Sequence, residues 1–291
     1  TGYTFAGWKD GATTYVNGES IRATANITLT AQWTANSYTV KYDANGGTGS
    51  MGDQSFTYDT AQNLTTNTFS RTGYTFAGWN TAANGTGTSR ADGTSVSNLT
   101  AIKDGIVTLY AVWTANTYTV TFANGGGTGT MENQSFTHDV ASALNTNAFS
   151  KTGYIFAGWK EGTTTYVNGE SISATANMTL TAQWTPISYS VKFDANGGTG
   201  NLANQAFIYN VAQNLTTNTY TCTGYTYEGW NTKADGTGTS FDDGASIYNL
   251  SAMNGETITF YAQWTANSYT VKFNANGGTG SMGDQSFTYG T

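Results

Sequence analysis

The 291-residue sequence holds one histidine and one cysteine, so the side chains that most often carry acid–base or nucleophilic chemistry can be weighed singly. His138 closes the run Gln134-Ser-Phe-Thr-His138, and related runs carry Tyr58, Tyr209 and Tyr289 in that slot. A slot that accepts tyrosine does not need an imidazole, so His138 reads as structural or surface, not catalytic. Cys222 stands where sister segments have Arg71 and Lys151, with no fixed histidine or basic neighbour in sequence. It reads as an exposed, incidental thiol, and no intrachain disulfide can form. Gly125-Gly-Gly-Thr-Gly129 has the look of a phosphate loop, but a second strand follows it instead of a helix, with no Lys-Ser/Thr, so a hairpin turn is expected. Asp235, Asp242 and Asp243 could offer oxygen ligands to calcium. The sister segment has Asn84, Arg90 and Asp92 there, so solvated loop acids are expected. No pair of carboxylates persists from segment to segment for general acid–base work. The expectation is therefore no catalytic, cofactor-binding or metal residues, no cofactor and no enzyme.

Composition narrows the partners. The net charge is −7, from 18 acidic and 11 basic residues, and no basic cluster exists to hold nucleic acid or an anionic membrane. No apolar run is long enough for membrane insertion. Only 10% of residues are charged, 36 are glycine and one is proline, while aromatics reach 14%. Polarity without charge suits strands joined by tight turns, and the aromatics supply area for a core. Cysteine usage does not decide the compartment.

Repetition organises the chain. The eight tryptophans fall into four pairs: Trp8 and Trp33, Trp79 and Trp113, Trp159 and Trp184, Trp230 and Trp264. Short and long repeats alternate. The expected boundaries are 1–37 (the C-terminal part of a short repeat), 38–117 (long), 118–188 (short), 189–268 (long) and 269–291 (the N-terminal part of a short repeat). The first segment matches 152–188 at 30 of 37 positions, as expected of a recently duplicated two-repeat block. The chain opens in mid-repeat, so an upstream segment is expected.

Each repeat opens with an alternating strand such as Tyr38-Thr-Val-Lys-Tyr42, with Tyr38, Val40 and Tyr42 on one face. The turn Ala44-Asn-Gly-Gly-Thr-Gly49 follows, then the strand Gln54-Ser-Phe-Thr-Tyr58. Thr60 is placed to cap a short helical turn through Ala61 and Leu64. Gly73-Tyr-Thr-Phe-Ala-Gly-Trp79 begins a third section. Two loop types then diverge: a hairpin-like Thr164–Glu170 in short repeats, and Asn84–Ser89 with a further polar stretch in long ones. A closing strand such as Ile27–Trp33 turns Ile27, Leu29, Ala31 and Trp33 to the core. The tryptophans are expected as one core anchor per strand, and Tyr15, Tyr166 and Tyr248 as candidates for surface contacts. Four-residue linkers such as Thr34–Ser37 leave little room for hinging, and Pro186 stiffens one of them.

Gly73–Trp79, the turn Asp43–Gly49 and the closing Tyr261-Ala-Gln-Trp264 together resemble the Listeria–Bacteroides repeat, the family of the B-repeat of internalin B. The resemblance covers the whole chain. It implies a β-grasp fold in tandem, found in bacterial surface proteins and adhesins, and no catalytic residues. The expected fold class is thus mainly β, α+β at most: an array of small β-grasp-like domains forming an elongated rod. In that fold the first and last strands pair in parallel, so pulling loads them in shear. The leading expectation is an extracellular stalk or spacer at a bacterial cell surface. The alternative is a multivalent binding module that contacts a glycan or host protein through the variable loops. Expected partners are neighbouring repeats of the same chain; the two partial repeats are completed either by other chains head to tail or by the continuation of one longer chain.

Overall fold

The protein is described by a computed structural model over residues 1–290; Thr291, the last residue of the expected fifth segment, lies outside them. Every regular element among the described residues is a strand. The chain forms two compact units, one of Thr1–Val120, Ser135–Ser142 and Ser171–Asn177, the other of Thr121–Gln134, Ala143–Glu170 and Met178–Thr291.

The first unit begins with β1 (Tyr3–Asp10), β2 (Thr13–Tyr15) and β3 (Thr30–Ala35), an antiparallel sheet with β1 in the middle. The first long repeat follows, with a five-stranded sheet and a two-stranded ladder. Its elements are β4 (Ser37–Asp43), β5 (Gln54–Thr57), β6 (Gln62–Asn63), β7 (Tyr74–Asn80), β8 (Ser89–Arg90), β9 (Ser95–Val96) and β10 (Gly105–Ala115). The order is β5-β4-β10-β7-β8, with β6 and β9 as a separate two-stranded ladder. β4 and β10, the first and last strands, run parallel, from Tyr38 opposite Gly105 to Asp43 opposite Tyr110. The chain therefore enters this sheet at one end and leaves at the other. Alternation places Tyr38, Val40, Phe56, Trp79, Leu109 and Ala111 on one buried face, closed by Leu64, Phe69 and Val96.

In the second unit Ser188–Asp194, Gln205–Ile208, Tyr225–Asn231, Ser240–Phe241 and Thr257–Ala266 repeat this order, again with first and last strands parallel. The short repeat contributes Tyr154–Glu161 to the same unit, paired antiparallel with Thr164–Tyr166 and with Met178–Pro186. The divergence between long and short repeats is local. In the long repeat the Asn80 side chain accepts from Ala82 and Gly87 backbone N–H groups and donates to the Gly85 and Gly87 carbonyls, folding its loop upon itself. The short repeat replaces that loop with a tight hairpin.

The strand order and the parallel terminal pair fit the β-grasp expectation; its helix is missing. The helical turn expected after Thr60 is instead the extended β6, paired with β9. Gln54 holds it there, donating to Asn63 O at 2.8 Å and accepting from Thr65 N at 2.9 Å, while Leu64 N donates to Thr94 O. Non-local backbone bonds outweigh the helix propensity of Ala61, Gln62 and Leu64.

The tryptophans divide into two roles, which corrects the expectation of a core anchor on every strand. Trp79, Trp159 and Trp230 are fully buried. Trp113, Trp184 and Trp264 are half-buried and lie over the glycine-rich turns. Asn45 and Gly46 take φ of 46° and 88°, and Gly47 N donates to Ala44 O, closing the tight turn that needs left-handed residues. Trp113 Nε1 donates to Ala44 O at 2.9 Å, and a Cβ on Gly47 would meet its ring at 2.6 Å. Trp184 and Trp264 donate likewise to Asn124 O and Ala195 O. In the partial first repeat Trp8 is half-buried and Trp33 is 60% exposed.

Candidate functional site

The most regular construction in the protein is the joint between consecutive repeats, where a single residue lies between the last strand of one and the first strand of the next. At the first joint that residue is Asn36, between β3 and β4. Its N–H donates back to Gly2 O and its carbonyl accepts from Tyr58 N, both at 2.9 Å. Its side chain accepts from Thr4 Oγ1 at 2.6 Å and donates to Ala101 O at 2.9 Å. Asn116, Ile187 and Asn267 make the same pair of backbone bonds: to Gly73 O and from His138 N, to Gly153 O and from Tyr209 N, to Gly224 O and from Tyr289 N. The Thr-to-Asn side-chain bond recurs as Thr75 to Asn116 and Thr226 to Asn267.

A ring plugs each joint. Tyr58, His138, Tyr209 and Tyr289 lie directly on Gly2, Gly73, Gly153 and Gly224 of the preceding repeat, where a Cβ would come within 1.9–2.3 Å of a ring atom. Each plug also meets the following tyrosine edge-on, with centroids 5.7 Å apart for Tyr3–Tyr58 and 5.4 Å for Tyr74–His138. The same contact is made by Tyr154–Tyr209 and Tyr225–Tyr289. Arg71 stacks on the Tyr74 ring at 3.8 Å and Lys151 on Tyr154 at 4.5 Å. The corresponding position is Cys222, so the last joint lacks that cation.

This is where His138 belongs. It is 9% exposed, with Nε2 3.4 Å from Asp139 Oδ1 and no hydrogen-bond partner for Nδ1 among the described residues. The sequence marks its slot as tyrosine-tolerant but does not reveal that the slot joins two repeats. Cys222 is half-buried rather than exposed, with Sγ 3.9 Å from Gly197 O. Gly125 and Gly126 take φ of 59° and 82° in a turn closed by Gly127 N donating to Asn124 O. The three aspartates have separate local duties. Asp235 accepts from the backbone N–H and the hydroxyl of Thr237, which hold its carboxyl below the usual range. Asp243 accepts from Asn218 N, and Asp242 O accepts from Ala245 N. Among the described residues no group of three or more His, Cys, Asp or Glu is placed to hold a metal. Tyr15 and Tyr166 are half-buried opposite Trp8 and Trp159, whereas Tyr248 is 56% exposed and donates its hydroxyl to Asn210.

A carboxylate is attached to two of the joints. Tyr3 OH donates to Asp59 Oδ2 at 2.7 Å, and Asn98 Nδ2 donates to Asp59 Oδ1. The bond from Tyr3, then that from Asn98, holds the Asp59 carboxyl below its ordinary value, and the same contact raises the Tyr3 phenol. A lowered folded-state pKa means that the contribution is complete above the ordinary aspartate value of about 3.9 and is lost as pH falls through the lower folded value. The first joint is therefore expected to be indifferent to pH between about 5 and 8 and to loosen only below about 4. Thermal melts from neutral to acid pH check this. Asp59→Asn should shrink the acid-side loss, and an equal loss in both proteins would refute the assignment.

A family model described as the Listeria-Bacteroides repeat domain matches residues 1–32, 38–112, 118–183 and 189–263. Two proteins of Evansella cellulosilytica are similar over nearly the whole chain. One, named provisionally as a Gly-rich membrane protein, is 30% identical over 96% of this chain. The other, named provisionally as a membrane protein, is 32% identical over 91%. The chain spans 32% and 39% of their lengths. No helix among the described residues is long and apolar enough to cross a membrane.

Proposed function

Because the chain belongs to the Listeria-Bacteroides repeat family, we propose that it is a non-catalytic stalk or spacer on the outside of a bacterial cell, built to hold another part of its protein away from the surface. The observation that carries this reading is the joint. One residue connects consecutive repeats, it is hydrogen-bonded to both, and a ring inserted against glycine closes the contact. Such a connection has far less freedom than a solvated linker, whose reach and direction fluctuate. Parallel terminal strands add a second support. In each long repeat the chain enters and leaves at opposite ends of the sheet, and tension along the chain loads the bonds between β4 and β10 together instead of one at a time. The relatives' membrane-protein names and the alternation of two repeat types fit a surface array whose length is set by copy number.

Small-angle X-ray scattering of the whole chain tests the proposal. A pair-distance profile with the long tail of a stiff rod is expected. A compact, symmetric profile would overturn the spacer reading, because repeats folded against each other cannot set a distance.

A further inference from the structure

The joints are of two kinds, and the difference exposes a surface. Where the chain enters a long repeat, the polar loop before the last strand covers the joint. At the first joint Asn36 donates to Ala101 O, Ser37 exchanges bonds with Asp104, and Leu99 N reaches Tyr38 OH at 3.4 Å. Tyr38 is left 1% exposed. The joint at Ile187 is covered in the same way: Gly255 N donates to Ser188 O, Leu250 N reaches Tyr189 OH, and Tyr189 is 2% exposed.

Where the chain enters the short repeat at Asn116, the corresponding loop is only Ser173–Asn177 and stops short. Its bond to the joint among the described residues runs from Thr119 N to Asn177 Oδ1. Tyr118, the counterpart of Tyr38 and Tyr189, is half-buried, and among the described residues no backbone N–H reaches its hydroxyl as Leu99 N reaches that of Tyr38. Asn116 Oδ1 still accepts from Thr75, but among the described residues no carbonyl comes to its Nδ2 as Ala101 O comes to Asn36. The result is an open groove of about 780 Å³ lined by Thr75, Thr114, Asn116, Tyr118, Thr175 and Asn177, among others. That volume lies within the range of small-molecule sites.

We propose that this groove is a binding site for a neutral oligosaccharide. Tyr118 presents an aromatic ring and a free hydroxyl, Asn116 an uncommitted amide donor, and the threonines and Asn177 a polar rim. No lining residue is charged, which suits sugar hydroxyls better than phosphate, sulfate or a charged peptide. Tyr118 is anchored from behind by its edge-on contact with His138 at 5.9 Å, so little ordering is needed on binding. The long loop that fills this space at Asn36 and Ile187 restricts the site to joints that lead into a short repeat. Such sites would therefore recur once per long–short pair, and weak single contacts would add up along an array. The site does not depend on the spacer role: a rod without sugar affinity and a sugar binder without stiffness are both measurable outcomes.

The test is amide NMR on the whole chain titrated with maltotetraose, cellotetraose and linear β-galactotetraose. At least one should give saturable shifts at Thr75, Asn116, Tyr118 and Thr175–Asn177, with a Kd of about 1 mM or tighter, and none at Asn36, Tyr38 or Tyr189. Asn116→Asp keeps an acceptor for Thr75 but replaces the amide donor with a charged carboxylate, so it should weaken binding roughly tenfold or more while the amides of β7 and β10 keep their positions. Tyr118→Leu should abolish the shifts while the amides of β7 and β10 keep their positions. Absence of saturable shifts with all three sugars would overturn the proposal. So would equal shifts at the covered joints, or unchanged affinity in both variants.

Discussion

Trp79→Ala is expected to cost the long repeat that contains it about 3–5 kcal/mol, enough to unfold that repeat at ambient temperature while its neighbours remain folded. Trp79 is fully buried against Tyr42, Phe69 and Phe76, with Nε1 3.3 Å from Asp92 Oδ1. Its removal leaves an indole-sized void in a core of fewer than a dozen buried apolar side chains. So small a core has few groups able to collapse into the gap. The control is Trp113→Ala. That ring is half-buried over Gly47 with one hydrogen bond to Ala44 O, and its loss should cost about 1–2 kcal/mol. Urea unfolding followed at single amides separates the repeats, because a multi-repeat chain need not unfold in one step. Equal costs for the two substitutions would show that burial does not divide the tryptophans as described.

This pair of tryptophans also shows how far the sequence reaches. Their spacing defines the repeats, and alternation in Tyr38–Tyr42 gives the buried face of β4 correctly. The difference between Trp79 and Trp113 is invisible locally, because it depends on whether the partner across the sheet is a packed core or a bare turn some 66 residues away in sequence. The stretch after Thr60 misleads for the same reason. Its residues favour a helix, and what keeps it extended is the side chain of Gln54 and the distant pair Ser95–Val96. The joint was half legible. A glycine precedes the opening tyrosine of the third section in every repeat, and an aromatic ring ends the second strand in every repeat. Periodicity supplies both observations without showing that the glycine of one repeat meets the ring of the next. The uncovered groove at Asn116 was legible only as a difference in loop length, with no sign of which tyrosine the shorter loop lays bare.

Gly73→Ala should open the joint between the long and short repeats without unfolding the long one. Gly73 has φ of +77°, a conformation that costs an L-residue about 1–2 kcal/mol, and its new Cβ would sit 1.9 Å from His138 Nε2. Backbone relief is limited, because Gly73 O must still accept from Asn116 N and Tyr74 N from its own side still donates to Arg71 O. The ring must therefore leave, taking with it the edge contacts to Tyr74 and Tyr118. Strain and overpacking together predict a loss of about 2–4 kcal/mol at the joint. Hydrogen exchange reads this directly. The amides of Asn116 and His138, which donate to Gly73 O and Asn116 O, should exchange at least about 30-fold faster, while those between β4 and β10 keep their protection. Adding His138→Ala to Gly73→Ala removes the clash but not the backbone strain. The double variant should thus be less perturbed than the sum of the singles, and a strictly additive pair would mean that ring and glycine do not meet. If exchange at Asn116 and His138 is unchanged in Gly73→Ala, the plug does not hold the joint closed and the rigidity on which the spacer reading rests has no source there.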